Sequence, residues 1–357
     1  MGLLDWLGWG HSVPTKLLGS SLLVCDNSTY RRAAPFLAAL QQRFNNIALA
    51  FTDRQPDDNL PYPAWQLPSD MTQCIERIKK IQPQRLIFLG ADERFMALLP
   101  ATSSPISWIN AQNTTLNDST CRLITTAMPI DGLHRAQITG DPLSGITNLP
   151  AIQADTTICT RFKEQREGKR WLAYFAGTGE SEEPLAYQLF NRAIRHQMGV
   201  MILAPQDAAR YEPVYRDALK YRLQTIRHNR LSTSFVPIRT RVYYVEGSDI
   251  MTKLYACADF VIIGGTLHND AQHQPDVITP MLYHKPVLVG PAHSNHPAVA
   301  AALAAGVARQ GRDETELFNI MQQWIDDPAS REQQAMQAQE WLLHQPGALN
   351  RVADLIP

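Results

Sequence analysis

Short apolar runs that close on glycine or other small residues, each followed by a helix-patterned segment, recur along this chain, and the clearest pair lies between Lys253 and Pro297. There Asp259–Ile263 leads into Gly264-Gly265-Thr266, and Pro286–Gly290 leads into Pro291 and then Ser294-Asn295-His296-Pro297. Strand, loop and helix in that order is the pattern of a parallel α/β sheet, whose strands are buried on both faces and read as continuous apolar runs. The paired glycines leave backbone N–H groups with no Cβ to block a ligand. Ser294 or Asn295 supplies a capped helix start beside them. Ligands of open α/β sheets bind outside the carboxyl ends of the strands, so the two loops are expected to share one phosphate-binding crevice.

The same pattern runs through the chain in two series. In the first, strands are expected at Leu22–Cys25, Ile47–Phe51, Tyr62–Gln66, Arg85–Leu89, Ile106–Ile109 and Cys121–Thr125, with helices over Arg31–Phe44 and Met71–Ile81. The second has strands at Trp171–Phe175, Val200–Ala204 and Arg241–Val245 ahead of the Lys253–Pro297 stretch. Its helices are read at Tyr211–Tyr221, Ile250–Ala256, Thr315–Asp326 and Ser330–His344. A chain of 357 residues favours two domains. The pattern weakens over Leu149–Thr160, which reads as their connector.

Composition narrows the function. A net charge of -1 gives no basic field for a nucleic-acid partner. Cys25, Cys74, Cys121, Cys159 and Cys257 are scattered, odd in number and never in a CxxC pair, the usage of a reducing cytoplasm rather than of a disulfide framework or structural zinc. No apolar run reaches the roughly 20 residues that cross a bilayer, and the start MGLLDWLGWG lacks a signal peptide's basic region. Those first ten residues read either as a helix packed on its own domain or as a peripheral contact with a membrane interface.

Several motifs sit where chemistry is expected. Gly177-Thr178-Gly179-Glu180 ends a strand and opens a helix with acids in its first turn. Ordinary capping explains most of it, and Glu180 is the residue facing the crevice. Neither GxGxxG nor GxxxxGK[ST] occurs, so neither a dinucleotide fingerprint nor a P-loop is present. In the loop after Gly265, His273, Gln274 and Asp276 are placed to meet ribose hydroxyls. His268, His273, His284, His293 and His296 lie close in sequence, yet their spacing fits no metal pattern, and no metal or cofactor is expected. Asp26, Asp92 and Glu93 follow first-series strands as candidate general bases, a solvated turn acid being the alternative for each. The basic cluster Arg222, Arg227, His228 and Arg230 reads as a solvated face.

The order of these motifs resembles that of the Kdo transferases of lipopolysaccharide assembly. The likeness is carried by YACADFVIIGGTL, then His273-Gln274-Pro275, KPVLVGP and Asn295, and upstream by GTGESEE and LAPQDAARYEPV. In the first half it is carried by LIFLGADERFMALLP, PISWINAQNTTLNDSTCR and ITGDPL, and it covers most of residues 20 to 345. The resemblance implies a GT-B glycosyltransferase, an α/β fold of two Rossmann-like domains with parallel sheets facing across a cleft. It implies an acceptor-side domain over 1–155, a linker over 156–168, a donor-side domain over 169–340 and a segment 341–357 crossing back toward the first domain.

By the same likeness, the partners are a nucleotide sugar such as CMP-Kdo and a glycan or glycolipid acceptor, met in the cytoplasm or at the inner-membrane surface. The donor is held by Gly177, Thr178, Gly179, Glu180, Gln206, Gly264, Gly265, Thr266, His273, Gln274, Asp276, Ser294 and Asn295. This chain departs from the family pattern in four places. Thr29 stands where the family has its catalytic glutamate, Gln206 where it has an arginine, Asn269–Gln272 where it has a basic glycine pair, and Asp276 where it has a glutamate. Threonine cannot be a carboxylate base, so Asp26 of the same loop takes that role in this reading. The competing readings are a catalytically inactive paralogue serving as a binding or scaffold protein, and a two-domain epimerase or sugar-phosphate binder.

Overall fold

The structure, a computed structural model, describes residues 15–357 except 56–58, 91–92, 112–122, 129–135, 153–156, 232–233, 248–249, 269–273 and 293–295. The chain divides into two compact units, Met1–Leu143 with Gly347–Pro357, and Ser144–Pro346.

The first unit is built on β1 (Ser21–Cys25), β2 (Ile47–Phe51), β3 (Ala64–Gln66), β4 (Arg85–Leu89), β5 (Ile106–Ile109), β6 (Leu123–Thr126) and β7 (Gln137–Ile138). They form one sheet in the order β3-β2-β1-β4-β5-β6-β7, with parallel pairing throughout. Every residue of β1 is buried. Because side chains alternate across a strand, Leu22 and Val24 join a core with Ile78, Phe88 and Trp108 on one face. Leu23 and Cys25 join Phe36, Leu40 and Val352 on the other. Val352 belongs to the helix Ala348–Leu355, which Arg43 ties down through the Asp354 carboxylate at 2.7 Å. Arg351 adds a bond from Nη2 to the Thr139 carbonyl at 2.8 Å.

The second unit contains β8 (Trp171–Thr178), β9 (Gly199–Pro205), β10 (Thr225–Arg227), β11 (Val242–Tyr244), β12 (Phe260–Ile263), β13 (Val287–Val289) and β14 (Ala308–Gln310). Their order is β10-β11-β9-β8-β12-β13-β14, and again each pair is parallel. Trp171, Ala173 and Phe175 of β8 pack with Phe260 and Ile262 of β12 and with Trp324 of the helix Glu314–Asp326. In each unit the chain first builds outward on one side of the opening strand and then returns to its other side. The strand order therefore switches between β1 and β4, and between β8 and β12. A doubly wound sheet opens a ligand-binding crevice at that point.

Four expectations are corrected. Cys159 and Cys257 are joined in a disulfide with a Cα–Cα distance of 5.0 Å, so the scattered cysteines do include a cross-linked pair. Spacing gives no sign of it, because 98 residues separate the two and the fold alone brings them together. The helix read over Arg31–Phe44 is two, Asn27–Arg32 and Ala34–Arg43, since Pro35 cannot continue the preceding helix. Ile250–Ala256 is a short helix, Met251–Leu254, followed by the 3-10 turn Tyr255–Cys257. Arg227 is not part of a solvated face: its side chain is 11% exposed, bonds Glu246, lies 3.0 Å from Glu212 and stacks over the Tyr215 ring.

Candidate functional site

The turn after β8 and the loop after β12 meet at the carboxyl edge of the second sheet. β12 lies flat against β8 there: a Cβ on Gly264 would sit 2.0 Å from the Gly177 carbonyl oxygen, so only glycine fits. Gly177 has φ +66° and Gly265 φ +77°, left-handed values that bend both chains away from the sheet. Gln206, the first residue after β9, donates its N–H to the Thr178 carbonyl at 3.0 Å. The expected residues Gly177, Thr178, Gly179, Glu180, Gln206, Gly264, Gly265 and Thr266 thus converge on one edge.

Their hydrogen bonds assign them differently from the sequence reading. The buried Glu182 carboxylate accepts from Gly179 N at 2.7 Å, Gly265 N at 2.9 Å and Leu267 N at 2.7 Å. It fills the anion position that those N–H groups create, so Gly265 serves the carboxylate rather than standing open to a ligand. Thr266 Oγ1 is likewise engaged, donating to the Ile263 carbonyl at 2.6 Å and accepting from Gly290 N at 2.9 Å. This ties the β12 loop to the end of β13. Thr178 Oγ1 is buried and has no partner among the described residues.

Glu180 and Glu183 flank Arg210, which closes the 3-10 turn Ala208–Arg210 after β9. Arg210 Nη1 lies 2.9 Å from Glu180 Oε1 and Nη2 lies 3.3 Å from Glu183 Oε2. Burial pushes the Glu183 carboxyl above its ordinary range, against the pull of Arg210. Nothing in the sequence singles out Glu182, Glu183 or Arg210. The run Glu180-Ser181-Glu182-Glu183 looks like acids complementing a helix dipole, and only packing shows which of them turn inward.

Asp276 accepts from Ile278 N at 3.2 Å and Thr279 N at 2.9 Å, opening the helix Ile278–Leu282. It and Gln274 are both exposed. His273, Ser294 and Asn295, the remaining donor-side expectations, lie outside the described residues, as do His293 and Asn269–Gln272.

At the carboxyl edge of the first sheet, Asp26 follows β1 and caps the helix Asn27–Arg32. Its Oδ1 accepts from Thr29 N at 2.6 Å and from Ser28 Oγ at 2.9 Å. Thr29 is buried behind it. Asp53, after β2, accepts from Asn27 N at 3.0 Å. Burial, reinforced by the charges of Asp26 and Asp53, pushes the Cys25 thiol up to about 12, which leaves it inert as a nucleophile. Across the sheet Asn110 donates to the buried Asp141 carboxylate at 2.7 Å. Asp92 lies outside the described residues, and so does the side chain of Glu93. Among the described residues no group of three or more His, Cys, Asp and Glu side chains could hold a metal ion. None of the described helices is long and apolar enough to cross a membrane.

Two α/β units, each with a seven-stranded parallel sheet and a switch point at its carboxyl edge, define the class to which the chain belongs by its fold. No protein-family model matches the chain and no curated protein sequence matches it. Among solved structures it is similar to the C-terminal CMP-Kdo binding domain of WaaA from Acinetobacter baumannii, with 18% identity over 53% of this chain and 99% of that one and a TM-score of 0.49. It is similar to WaaG, a glycosyltransferase involved in lipopolysaccharide biosynthesis, with 12% identity over 94% and 99% of the two chains and a TM-score of 0.36. It is also similar to Acinetobacter baumannii MurG, with 13% identity over 94% and 99% and a TM-score of 0.41.

Proposed function

We propose that the protein is a glycosyltransferase that moves Kdo or a related sugar from a CMP-linked donor to a glycan or lipid acceptor of the cell envelope. The observation that carries this reading is the pair of loops at the switch point of the second unit, drawn together by the Glu182 carboxylate and the Gly264–Gly177 backbone contact. This joins the two loops at the point where a doubly wound sheet binds its ligand. The motif order that resembles the Kdo transferases supports the choice of sugar and nucleotide. In this reading residues 169–340 bind the donor and residues 1–155 bind the acceptor.

Asp26 is the base in the proposed reaction. Its hydrogen bonds to described residues fall on Oδ1, which leaves Oδ2 for the acceptor hydroxyl. That oxygen attacks the anomeric carbon, its proton passes to Asp26, and the bond from the anomeric carbon to the phosphate oxygen breaks. The departing phosphate is stabilised at the carboxyl edge of the second sheet. His273, Gln274, Asp276, Ser294 and Asn295 surround the nucleoside and phosphate in this scheme.

A thermal-shift and calorimetric screen against CMP, CDP, UMP, UDP and GDP tests the donor, since a ligand that binds only the native state raises apparent stability. Selective stabilisation by CMP is expected, and silence toward all five overturns the proposal. With CMP-Kdo as donor, Asp26→Ala should lower turnover by about 100-fold or more. Turnover at the native level would remove Asp26 from the mechanism and leave the donor assignment standing.

A further inference from the structure

Resting on the glycosyltransferase reading, we propose that Arg210 receives the phosphoryl group of the donor nucleotide, and that the Glu180 carboxylate is an internal occupant which that phosphoryl group displaces. The two acids on Arg210 are unlike. The Glu183 side chain is 0% exposed and the Glu180 side chain 79% exposed, while that of Arg210 is 21% exposed. A solvent-exposed ion pair adds little net stability because water and salt compete for both charges. Removing one partner of a buried pair leaves a desolvated charge and costs far more. Glu183 therefore anchors the guanidinium from behind, and Glu180 is the partner that an incoming anion replaces.

The neighbourhood makes Arg210 the group that such an anion needs. The N–H groups of Gly179, Gly265 and Leu267, which would otherwise bind it, are all spent on Glu182. Neither Arg210 Nε nor Glu183 Oε1, both buried, has a partner among the described residues, so the guanidinium is not saturated by its two acids. Thr178 Oγ1, on the strand end next to Glu180, is buried and likewise has no partner among the described residues. A guanidinium presents a planar fork that pairs with two oxygens of a phosphate as it does with those of a carboxylate. Glu180 thus holds Arg210 in its binding posture until a phosphate arrives, and its own exposure makes it the carboxylate that gives way.

The consequence is measurable by titrating the full chain with CMP and with cytidine, and with UDP and with uridine, by isothermal calorimetry. For the pair that binds, Glu180→Gln should tighten the nucleotide about fivefold, since a competing anion is gone, and leave the nucleoside unchanged. Arg210→Gln should weaken the nucleotide at least about tenfold with the nucleoside again unchanged, and Arg210→Lys should fall between, a pattern that a general loosening of the fold would not give. Nucleotide affinity within twofold of wild type in Glu180→Gln overturns the inference, and so does a folded Arg210→Gln that binds like wild type. Should Arg210→Gln not fold, Glu180→Gln decides alone. Wild-type protein that binds neither nucleotide removes the glycosyltransferase reading and this inference together, whereas wild-type binding left untouched by both substitutions removes only the inference.

Discussion

Three glutamates within four residues take three different parts, and burial decides which. Glu182 gives its two carboxylate oxygens to three backbone N–H groups of two loops. Each charge-assisted bond of this kind contributes about 1.5–3 kcal/mol. Glu182→Gln keeps the shape and one acceptor but turns an NH2 group toward N–H donors, so it should cost about 2–4 kcal/mol in urea denaturation. Glu180→Gln, which removes a pair whose carboxylate is 79% exposed, should change stability by less than about 1 kcal/mol. Equal effects of the two substitutions would refute the distinction between a carboxylate built into the loops and one resting on the surface. None of this is legible in the run Glu180-Ser181-Glu182-Glu183. The same holds at Asp26, where the sequence marks a carboxylate at a strand end but not that its Oδ1 is already engaged in capping.

Legibility at the level of elements follows burial. β1, β2, β8 and β9 are covered on both faces, so nearly every residue must be apolar and the run announces itself. β10 and β14, at the two edges of their sheet, are three residues long with Arg227, Arg309 and Gln310 among them, and no period can show in so short a segment. The glycine turns were visible as ligand loops, and their first task proves to be internal: Gly264 lets β12 approach β8. Gly264→Ala would put a Cβ 2.0 Å from the Gly177 carbonyl oxygen, against backbone that cannot swing aside. The expected cost is about 3 kcal/mol or failure to fold. Gly306→Ala is the control: it has φ +70° and open space around it, and should lose only about 1–2 kcal/mol from its left-handed backbone. Denaturation midpoints that rank the two the other way would show that the β8–β12 contact is not what fixes this edge.

At the scale of the molecule, the chain carries two compact units with cores of their own, and the Cys159–Cys257 bond lies wholly within the second. It joins the 3-10 turn Thr157–Phe162 to the turn Tyr255–Cys257 that leads into β12. Closing a loop of 98 residues restricts the unfolded chain, a gain of about 2–4 kcal/mol in typical cases. The proposed nucleotide site belongs to the same unit and is carried partly by the strand that this turn feeds. Reduction and nucleotide should therefore act on one unfolding event in opposite directions. Scanning calorimetry of the full chain is expected to show two transitions. A phosphine reductant should lower one by several degrees, CMP should raise that same one, and the other should stay within a degree under both treatments. A reductant that shifts the transition CMP does not would separate the cross-linked unit from the ligand-binding one. That result would move the donor site to the first sheet, where Asp26 and Asp53 stand at the strand ends.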